Sequence, residues 1–289
     1  MGRPDAARAL GLQHLVPLRR EAGTVKRVIF TDLDGTLLDA GTYSWEEAAP
    51  ALELVRSSAT PLVFSSSKTR AEIEKLRREL ANGDPFVAEN GGGVFIPEGY
   101  FPFPVPGRTA DALRVTDIGL PYARVRRVLK EAAAAAGVTV RGFGDMTDRE
   151  VARLTGLGIE EAALARRRDY DEPFVVTSGE AAPLLDAIEA RGLRWTRGGL
   201  LYHIMGRHDK GQAVRLLKGH FERAFGAVET IGLGDGRNDL ELLAEVDRPV
   251  LVRRRDGTYE PMEVEGLVRT EGAGPAGWNE AVGGILGRP

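Results

Sequence analysis

The stretch Val28 to Leu38 reads VIFTDLDGTLL, and it decides the fold that we expect for this chain. Its apolar first half ends at Thr31, which is typical of a buried β-strand, and Gly35 marks the turn that leaves the strand. Asp32 and Asp34 are therefore expected at the carboxyl end of that strand, next to the interior of a sheet. Two neighbouring carboxylates repel each other there, so they need a cation or hydrogen-bond donors to remain ionised.

A bare Asp-x-Asp pair has two interpretations. It can be an ordinary acidic turn after a strand, or it can bind a divalent cation, above all Mg²⁺, through its oxygens. An ionised aspartate can also attack phosphorus and carry a phosphoryl group covalently. The apolar run before the pair and Gly35, Thr36 and Leu37 after it favour the second interpretation. At roughly 5–7% usage per residue type, five specified positions would arise by chance somewhere in a chain of this length with a probability on the order of 10⁻⁴.

The composition excludes several classes of protein. The 289 residues are 43% hydrophobic and 28% charged, which is typical of a globular chain with one large domain or two smaller ones. A net charge of -3 gives no electrostatic footprint for nucleic acid or an anionic membrane, so we expect neither partner. The chain has no cysteine, which excludes disulfides, thiolate zinc sites and cysteine nucleophiles and fits a reducing cytoplasm. We expect a cytoplasmic monomer or homodimer.

No stretch of the sequence has the signature of a membrane or export segment. No window approaches the ~18 to 20 apolar residues of a membrane span. The apolar run from Gly11 to Leu18 is too short and too interrupted for the core of a signal peptide. We interpret residues 1–26 as an N-terminal extension before the first strand.

The order of the predicted elements indicates two domains. Strands and helices alternate up to about residue 106 and again from Lys210, which predicts an α/β fold with a doubly wound parallel sheet. The intervening segment mixes strands and helices differently and closes with a β-hairpin, Arg194 to Thr196 with Leu200 to Ile204, around Gly198-Gly199. We therefore predict a core domain over residues 27–106 and 207–289, and an inserted α+β cap domain over residues 107–206.

Two further polar clusters fall at the ends of predicted elements. Ser65 to Lys68 follows the second predicted strand, where a hydroxyl and helix amides can bind phosphate, although such a run can also be a capped loop. Lys210 lies at the start of a helix, which is unfavourable for the helix dipole. Its ammonium could offset the charge of a bound phosphate, whereas an isolated lysine is otherwise a solvated surface residue.

The fourth cluster is GLGDGRNDLELL at residues 232–243. Glycines on both sides of Asp235 let the backbone approach a bound ion, and Asp239 follows one helical turn later. We predict Asp235 as a direct metal ligand and Asp239 as a supporting carboxylate, while Asn238 could donate to phosphate or orient a ligand. The alternative is a glycine-rich turn with an acidic cap. Ligands of open parallel sheets bind outside the carboxyl ends of the strands, so the four clusters are expected to meet in one site.

These four clusters, in this order, resemble the motifs of the haloacid dehalogenase superfamily of aspartate-nucleophile phosphatases. The resemblance implies that Asp32 is the nucleophile and Asp34 the general acid/base. It also implies that Ser66 binds the phosphate and that Lys210 neutralises its charge. The cofactor implied is Mg²⁺, with the metal-binding residues Asp32, Asp34, Asp235 and Asp239.

Shorter signatures resemble the mannosyl-3-phosphoglycerate phosphatase family. They are SSKTRAEI at 66–73, ENGGGVFIP at 89–97, RRRDYDEPF at 166–174, GGLLYHI at 198–204, HDKGQAV at 208–214 and GPAGWNE at 274–280. The resemblance implies Mg²⁺-dependent hydrolysis of mannosyl-3-phosphoglycerate, or of its glucosyl counterpart, to a compatible solute. A phosphorylated sugar-glycerate substrate needs cations and neutral donors. The candidates to bind it are Ser67, Lys68, Asn90, Gly91, Arg168, Thr177 and Ser178, whereas His203 is expected to be packed in the hairpin rather than catalytic.

Three alternatives remain open from the sequence. A phosphatase of sucrose phosphate or of sugar phosphates in general would use the same chemistry on another substrate. A phosphosugar mutase or phosphotransferase would pass the phosphoryl group to a sugar hydroxyl. A non-catalytic sugar-phosphate sensor belongs to a different class. A binder need not keep a nucleophile, so the intact set argues against a sensor: Asp32, Asp34, Lys210 and Asp235.

Overall fold

The computed structural model describes residues 25–198 and 201–287, which form two β-sheets with helices packed on them. The predicted extension lies outside these ranges except for its last two residues. The strands are β1 (Lys26–Thr31), β2 (Leu62–Ser65), β3 (Phe86–Ala88), β4 (Gly93–Pro97), β5 (Arg108–Ala110), β6 (Leu113–Asp117), β7 (Thr139–Gly142), β8 (Asp171–Ser178), β9 (Arg194–Gly198), β10 (Leu201–Met205), β11 (Val228–Gly234), β12 (Arg248–Arg253) and β13 (Val268–Ala273).

The helices pack on both sheets. They are α1 (Ala49–Ser57), α2 (Arg70–Glu79), α3 (Tyr122–Ala136), α4 (Asp148–Thr155), α5 (Ile159–Ala165), α6 (Ala181–Glu189), α7 (Lys210–Phe225), α8 (Leu240–Ala244) and α9 (Gly274–Leu286). In the part of the chain that the structure describes, none of them is both long and apolar enough to cross a bilayer.

The larger sheet has nine strands in the order β13-β12-β11-β1-β2-β3-β4-β6-β5. The strands from β13 to β3 run parallel, and β4, β6 and β5 continue the sheet antiparallel. Successive residues of β1 point to opposite faces: Ile29 packs with α1, α2 and α9, whereas Val28 and Phe30 pack with α7 and α8. The predicted doubly wound α/β fold is confirmed.

The smaller sheet is antiparallel and has the order β7-β8-β10-β9. Helices α3 and α6 cover one face, and α4 and α5 pack at the other. This sheet lies between β6 and α7 in the chain, so the structure contains the inserted α+β unit that the sequence predicts. The pairing of β9 with β10 forms the expected hairpin, but the predicted Gly199 and Leu200 lie outside the described residues.

The boundary predicted at residue 107 divides the larger sheet. Strands β5 and β6 belong to that sheet, because β6 pairs with β4 from Gly93 with Asp117 to Pro97 with Leu113. The prolines and glycines between residues 97 and 107 reverse the chain without taking it out of the sheet. Hydrogen bonding therefore assigns residues 108–117 to the sheet of the core, and the division into two domains stays a prediction.

The sequence has two capping-box patterns, Ser44 with Glu47 and Thr69 with Glu72, and each predicts the start of a helix. Thr69 caps α2, and its hydroxyl and the side chain of Glu72 form the expected reciprocal capping box. The analogous pattern at Ser44 does not start a helix: its Oγ accepts from the amide of Glu46 at 3.2 Å, and a 3₁₀ turn precedes α1. Strand β13 was missed because VRTEGA lacks the apolar run of a buried strand.

Candidate active site

Lys210 is the buried cation at the centre of the candidate site. It is the first residue of α7 and has no exposed surface. Its Nζ donates to Oδ1 of Asp32 at 2.6 Å and to Oδ1 of Asp239 at 2.7 Å. Burial opposes its charge, but the two carboxylates outweigh burial and hold the pKa of Lys210 above its ordinary value. The site thus contains an ammonium group between two aspartates.

Three carboxylates form a cluster that fits a divalent metal ion. Asp32 follows β1, Asp235 follows β11, and each of these residues and Asp239 offers an oxygen within 4.8 Å of the others. Burial, followed by the charge of Asp239, raises the pKa of Asp32 well above its usual range. The same two causes raise the pKa of Asp235 to about 7. One ammonium cannot neutralise three carboxylates, so a cation bound by oxygens suits the site.

Asp239 holds the other charged groups in place. Its Oδ1 accepts from Lys210, while its Oδ2 accepts from the amides of Asp235 at 3.1 Å and Gly236 at 2.9 Å. Both oxygens are thereby engaged by the protein. This arrangement agrees with the supporting part predicted for Asp239.

Gly35 and Thr36 position Asp235. Gly35 has φ +81°, and a Cβ atom there would lie 2.6 Å from Oδ2 of Asp235, so a larger residue would displace this carboxylate. The hydroxyl of Thr36 donates to Oδ1 of Asp235 at 3.0 Å. Both residues belong to the first sequence motif. Their contact with Asp235, some 200 positions away, forms because β1 pairs in parallel with β11.

The carboxylate of Asp34 lies outside the cluster of three. Its Oδ2 is 2.9 Å from Nζ of Lys68. Its Oδ1 is buried and has no hydrogen-bond partner among residues 25–198 and 201–287. Asp34 therefore has one basic partner and one carboxylate oxygen that forms no hydrogen bond within the described residues. Lys68, which was predicted to bind substrate, contacts Asp34.

Ser66 and Ser67 lie in the loop that follows β2. Thr31 of β1 pairs with Phe64 of β2, so this loop and Asp32 emerge from adjacent strands at the same edge of the sheet. Ser66 is almost completely buried, and its Oγ accepts from the amide of Lys68 at 3.2 Å. The carbonyl of Ser67 accepts from Arg168 at 2.8 Å.

Two amides link the fourth motif to the smaller sheet. Asn238 donates to Oδ1 of Asn90 at 3.0 Å, and Asn90 donates to Oδ2 of Asp171 at 3.3 Å. Beside them Gly91 has φ +95°, and a Cβ there would lie 2.1 Å from the carbonyl oxygen of Asp209. Gly91 is thus needed for close backbone packing at the start of α7.

Arg168 is part of a buried ionic cluster that joins the two sheets. Its guanidinium contacts Asp171 and lies 3.6 Å from Glu89, and all three side chains are almost inaccessible to solvent. The carboxylate of Glu89 accepts from the amides of Asp169, Tyr170 and Asp171 at 2.7–2.8 Å. Sequence reasoning offered Arg168 as a substrate contact and missed Glu89 and Asp171. The structure places the guanidinium against carboxylates of the protein itself.

We expect Arg168→Met to lower the free energy of unfolding by about 3–5 kcal/mol, because the substitution leaves two buried carboxylates without their cation. Arg127→Met is the matched control. Arg127 is exposed and lies 3.8 Å from Glu131, which is also exposed, so its removal should cost about 0–1 kcal/mol. Urea unfolding followed by circular dichroism measures both values. Equal, small losses for the two variants would show that the cluster does not stabilise the fold.

Two predicted substrate residues lie away from the cluster. Thr177 and Ser178 are exposed at the end of β8, which starts at Asp171. Six residues of extended strand put Thr177 about 20 Å from Asp171. Its hydroxyl donates to the carbonyl of Thr139 at 3.2 Å. His203 is closer to the site, and its Nδ1 lies 3.2 Å from Oδ2 of Asp171.

Comparison with known proteins shows which family and fold this chain resembles. Residues 29–100 match the family model described as haloacid dehalogenase-like hydrolase. Among solved structures, a protein of Thermoplasma acidophilum superposes with a TM-score of 0.64 at 18% identity, covering 91% of this chain and 99% of that one. A phosphatase of the haloalkanoate (HAD) enzyme superfamily from Bacteroides thetaiotaomicron has the same TM-score and identity, with coverages of 94% and 99%. These likenesses show the fold.

Sequence relatives cover nearly the whole chain. A glucosyl-3-phosphoglycerate/mannosyl-3-phosphoglycerate phosphatase of Methanococcoides burtonii is 43% identical over 268 residues, which are 91% of this chain and 98% of the relative. A protein of the same name from Persephonella marina is 40% identical, with coverages of 90% and 97%. The chain belongs to the mannosyl-3-phosphoglycerate phosphatase family of the haloacid dehalogenase superfamily.

Proposed function

We propose that this protein is a Mg²⁺-dependent phosphatase that hydrolyses mannosyl-3-phosphoglycerate and glucosyl-3-phosphoglycerate to the glycosylglycerate and phosphate. The observation that carries the proposal is the fully buried Lys210 between Asp32 and Asp239 at the carboxyl edge of the parallel sheet. The names and near-complete coverage of the relatives support the substrate. We also propose a reducing compartment, the cytoplasm, because the chain has no cysteine. The oligomeric state, monomer or homodimer, stays a prediction.

Asp32 is the proposed nucleophile. A carboxylate oxygen of Asp32 forms a bond to phosphorus while the bond from phosphorus to the glycerate oxygen breaks. Lys210, whose Nζ is 2.6 Å from Oδ1 of Asp32, is proposed to neutralise the phosphoryl oxygens as charge shifts towards the leaving group. The hydroxyl of Ser66, from the adjacent strand, is the proposed phosphate donor. The product of this step is an aspartyl-phosphate.

Asp34 is the proposed general acid and base. It gives a proton to the departing glycerate oxygen in the first step and takes one from the water that cleaves the aspartyl-phosphate in the second. The buried Oδ1, which has no partner in the described chain, is the atom proposed to carry that proton. The smaller sheet, joined to the core by Glu89 and Arg168, is the part of the protein proposed to exclude bulk water from the reaction.

The residues present fit Mg²⁺ as the metal. Asp32 and Asp235 would hold it, with Asp239 behind them, because Mg²⁺ prefers carboxylate oxygens. When bound, the ion supplies Lewis acidity that draws charge from the phosphoryl oxygens. Thr36 and Gly35 keep the Asp235 carboxylate directed at this position.

Removal of divalent metal by a chelator should abolish phosphate release, and Mg²⁺ should restore it. A second readout is independent of activity: Asp235→Asn should weaken Mg²⁺ binding, measured by calorimetry without substrate, by at least about tenfold. Asp186→Asn, at an exposed position of helix α6, is the control and should bind Mg²⁺ as the unchanged protein does. Equal Mg²⁺ affinities for the two variants would remove Asp235 from the metal site.

A substrate panel tests the proposed function. Phosphate release with Mg²⁺ is measured for mannosyl- and glucosyl-3-phosphoglycerate, sucrose phosphate and simple hexose phosphates. We expect the two glyceryl substrates to have kcat/KM values at least about a hundredfold above the others. Turnover of sucrose phosphate alone would replace the substrate but keep the reaction, whereas transfer of phosphate to a sugar without its release would indicate a mutase or phosphotransferase. Binding without any turnover would indicate a sensor.

A further inference from the structure

The leaving group of the proposed reaction must lie on the side of the site that Asp34 occupies, because Asp34 protonates the departing oxygen. Lys68 is on this side, with Nζ 2.9 Å from Oδ2 of Asp34. The same Nζ lies 4.8 Å from the centre of the Tyr43 ring. Asp34, Lys68 and Tyr43 therefore form one row of neighbouring side chains, which begins at the proposed general acid and ends at an aromatic ring.

The backbone of Tyr43 is held in an unfavourable conformation. Its φ is +58°, in the left-handed region that a bulky aromatic residue rarely adopts. The turn is fixed by Asp39, whose Oδ1 accepts from the amides of Gly41 at 3.0 Å and Thr42 at 2.8 Å. The amide of Asp39 also donates to the carbonyl of Ser44 at 2.9 Å. Strain of this kind, held by a closed turn beside a reaction site, points to a functional side chain.

The ring of Tyr43 is open to solvent although it adjoins the site. It is 42% exposed, and it is the one aromatic residue among the large exposed apolar side chains of residues 25–198 and 201–287. The ammonium of Lys68 covers one face of the ring. The negative π-face of an aromatic ring attracts the positively polarised C–H groups of a pyranose, so the other face suits a sugar ring.

We infer that Tyr43 is a specificity-determining residue whose ring stacks on the sugar of the leaving group, with Lys68 beside it facing the glycerate carboxylate. This inference rests on the proposed function and deepens it. A sugar-free phosphate ester would reach Asp34 and Lys68 without touching Tyr43. Tyr43 thus selects the glycosylated substrate and takes no part in the chemical step.

The test compares Tyr43→Gly with Tyr43→Phe. Tyr43→Gly removes the ring and relieves the positive φ, so the protein should unfold at the same temperature or higher. We expect about a tenfold rise in KM for mannosyl- and glucosyl-3-phosphoglycerate, with kcat changed less than about twofold, and restoration by Tyr43→Phe. Inhibition by the product glycosylglycerate should weaken by the same factor, while inhibition by inorganic phosphate stays unchanged.

The control is Ala59→Gly. Ala59 also has a positive φ, +48°, but it precedes β2 at the end of the sheet opposite the site, so only stability should respond. An unchanged KM and unchanged glycosylglycerate inhibition in Tyr43→Gly would overturn the inference and leave the proposed function standing. Equal weakening of inhibition by phosphate and glycosylglycerate would show a structural effect and would also overturn it. Absence of turnover of both glycosyl substrates by the unchanged protein would remove the proposed function and the inference together.

Discussion

Asp32→Asn should lower phosphate release by a factor on the order of 10⁴ or more, while the protein stays folded. The amide cannot form the bond to phosphorus that the proposed mechanism requires of Asp32. It also removes one of the negative charges that the metal cluster offers to a cation. The rate is measured by phosphate release from mannosyl-3-phosphoglycerate at saturating Mg²⁺.

The same substitution should not destabilise the fold. Asn has nearly the shape of Asp, and Lys210 keeps its contact with Asp239 at 2.7 Å. The substitution also relieves repulsion, because burial and the neighbouring Asp239 charge already disfavour the ionised form of Asp32. Thermal unfolding should show an unchanged or higher midpoint. A variant that keeps near-normal activity would refute the assignment of the nucleophile, and a variant that unfolds would refute the electrostatic account.

Lys210→Met should have the second-largest effect, on both activity and stability. Met has a similar length and can fill the buried space, but it leaves Asp32 and Asp239 without their shared cation. We expect a loss of about 3–5 kcal/mol in the free energy of unfolding. We also expect kcat to fall on the order of 10³-fold, because a preorganised charge next to the transferred group is lost.

Lys218→Met is the control on the same helix. Lys218 lies in the second half of α7, and its Nζ is 3.0 Å from Oδ1 of the partly exposed Asp247. Its removal should change stability by less than about 1 kcal/mol and should leave the rate unchanged. Urea unfolding and phosphate release are measured on both variants. If Lys210→Met resembled Lys218→Met, the buried cation would have no part in the reaction or the fold.

The sequence predicted which polar residues lie together, because they follow strands whose order is predictable. Asp32, Ser66 and Asp235 follow β1, β2 and β11, and these three strands are adjacent in the larger sheet. Parallel pairing brings their carboxyl ends to one edge, so side chains roughly 200 residues apart meet. The capping box at Thr69 is local, and it was predicted for that reason.

Contacts that depend on how the smaller sheet packs could not be predicted from the sequence. Arg168 and Thr177 are both polar residues within ten positions of each other, yet one is buried between carboxylates and the other is exposed at the far end of β8. Glu89 gave no signal because three backbone amides from residues 169–171 satisfy its carboxylate, and no side-chain pattern marks them. The positive φ of Tyr43 is likewise invisible in residue type.

The central claim is that the phosphoryl group passes through Asp32, and trapping that intermediate tests it most directly. Asp34→Asn protein lacks the base for the second step and the acid for the first, so both steps are slowed. It is mixed with mannosyl-3-phosphoglycerate carrying a ³²P-labelled phosphoryl group and quenched with acid at intervals from milliseconds to minutes. The account predicts label on the protein, in the peptide that contains Asp32, and none on the Asp32→Asn, Asp34→Asn double variant. Label-free Asp34→Asn protein that still releases phosphate would contradict the account.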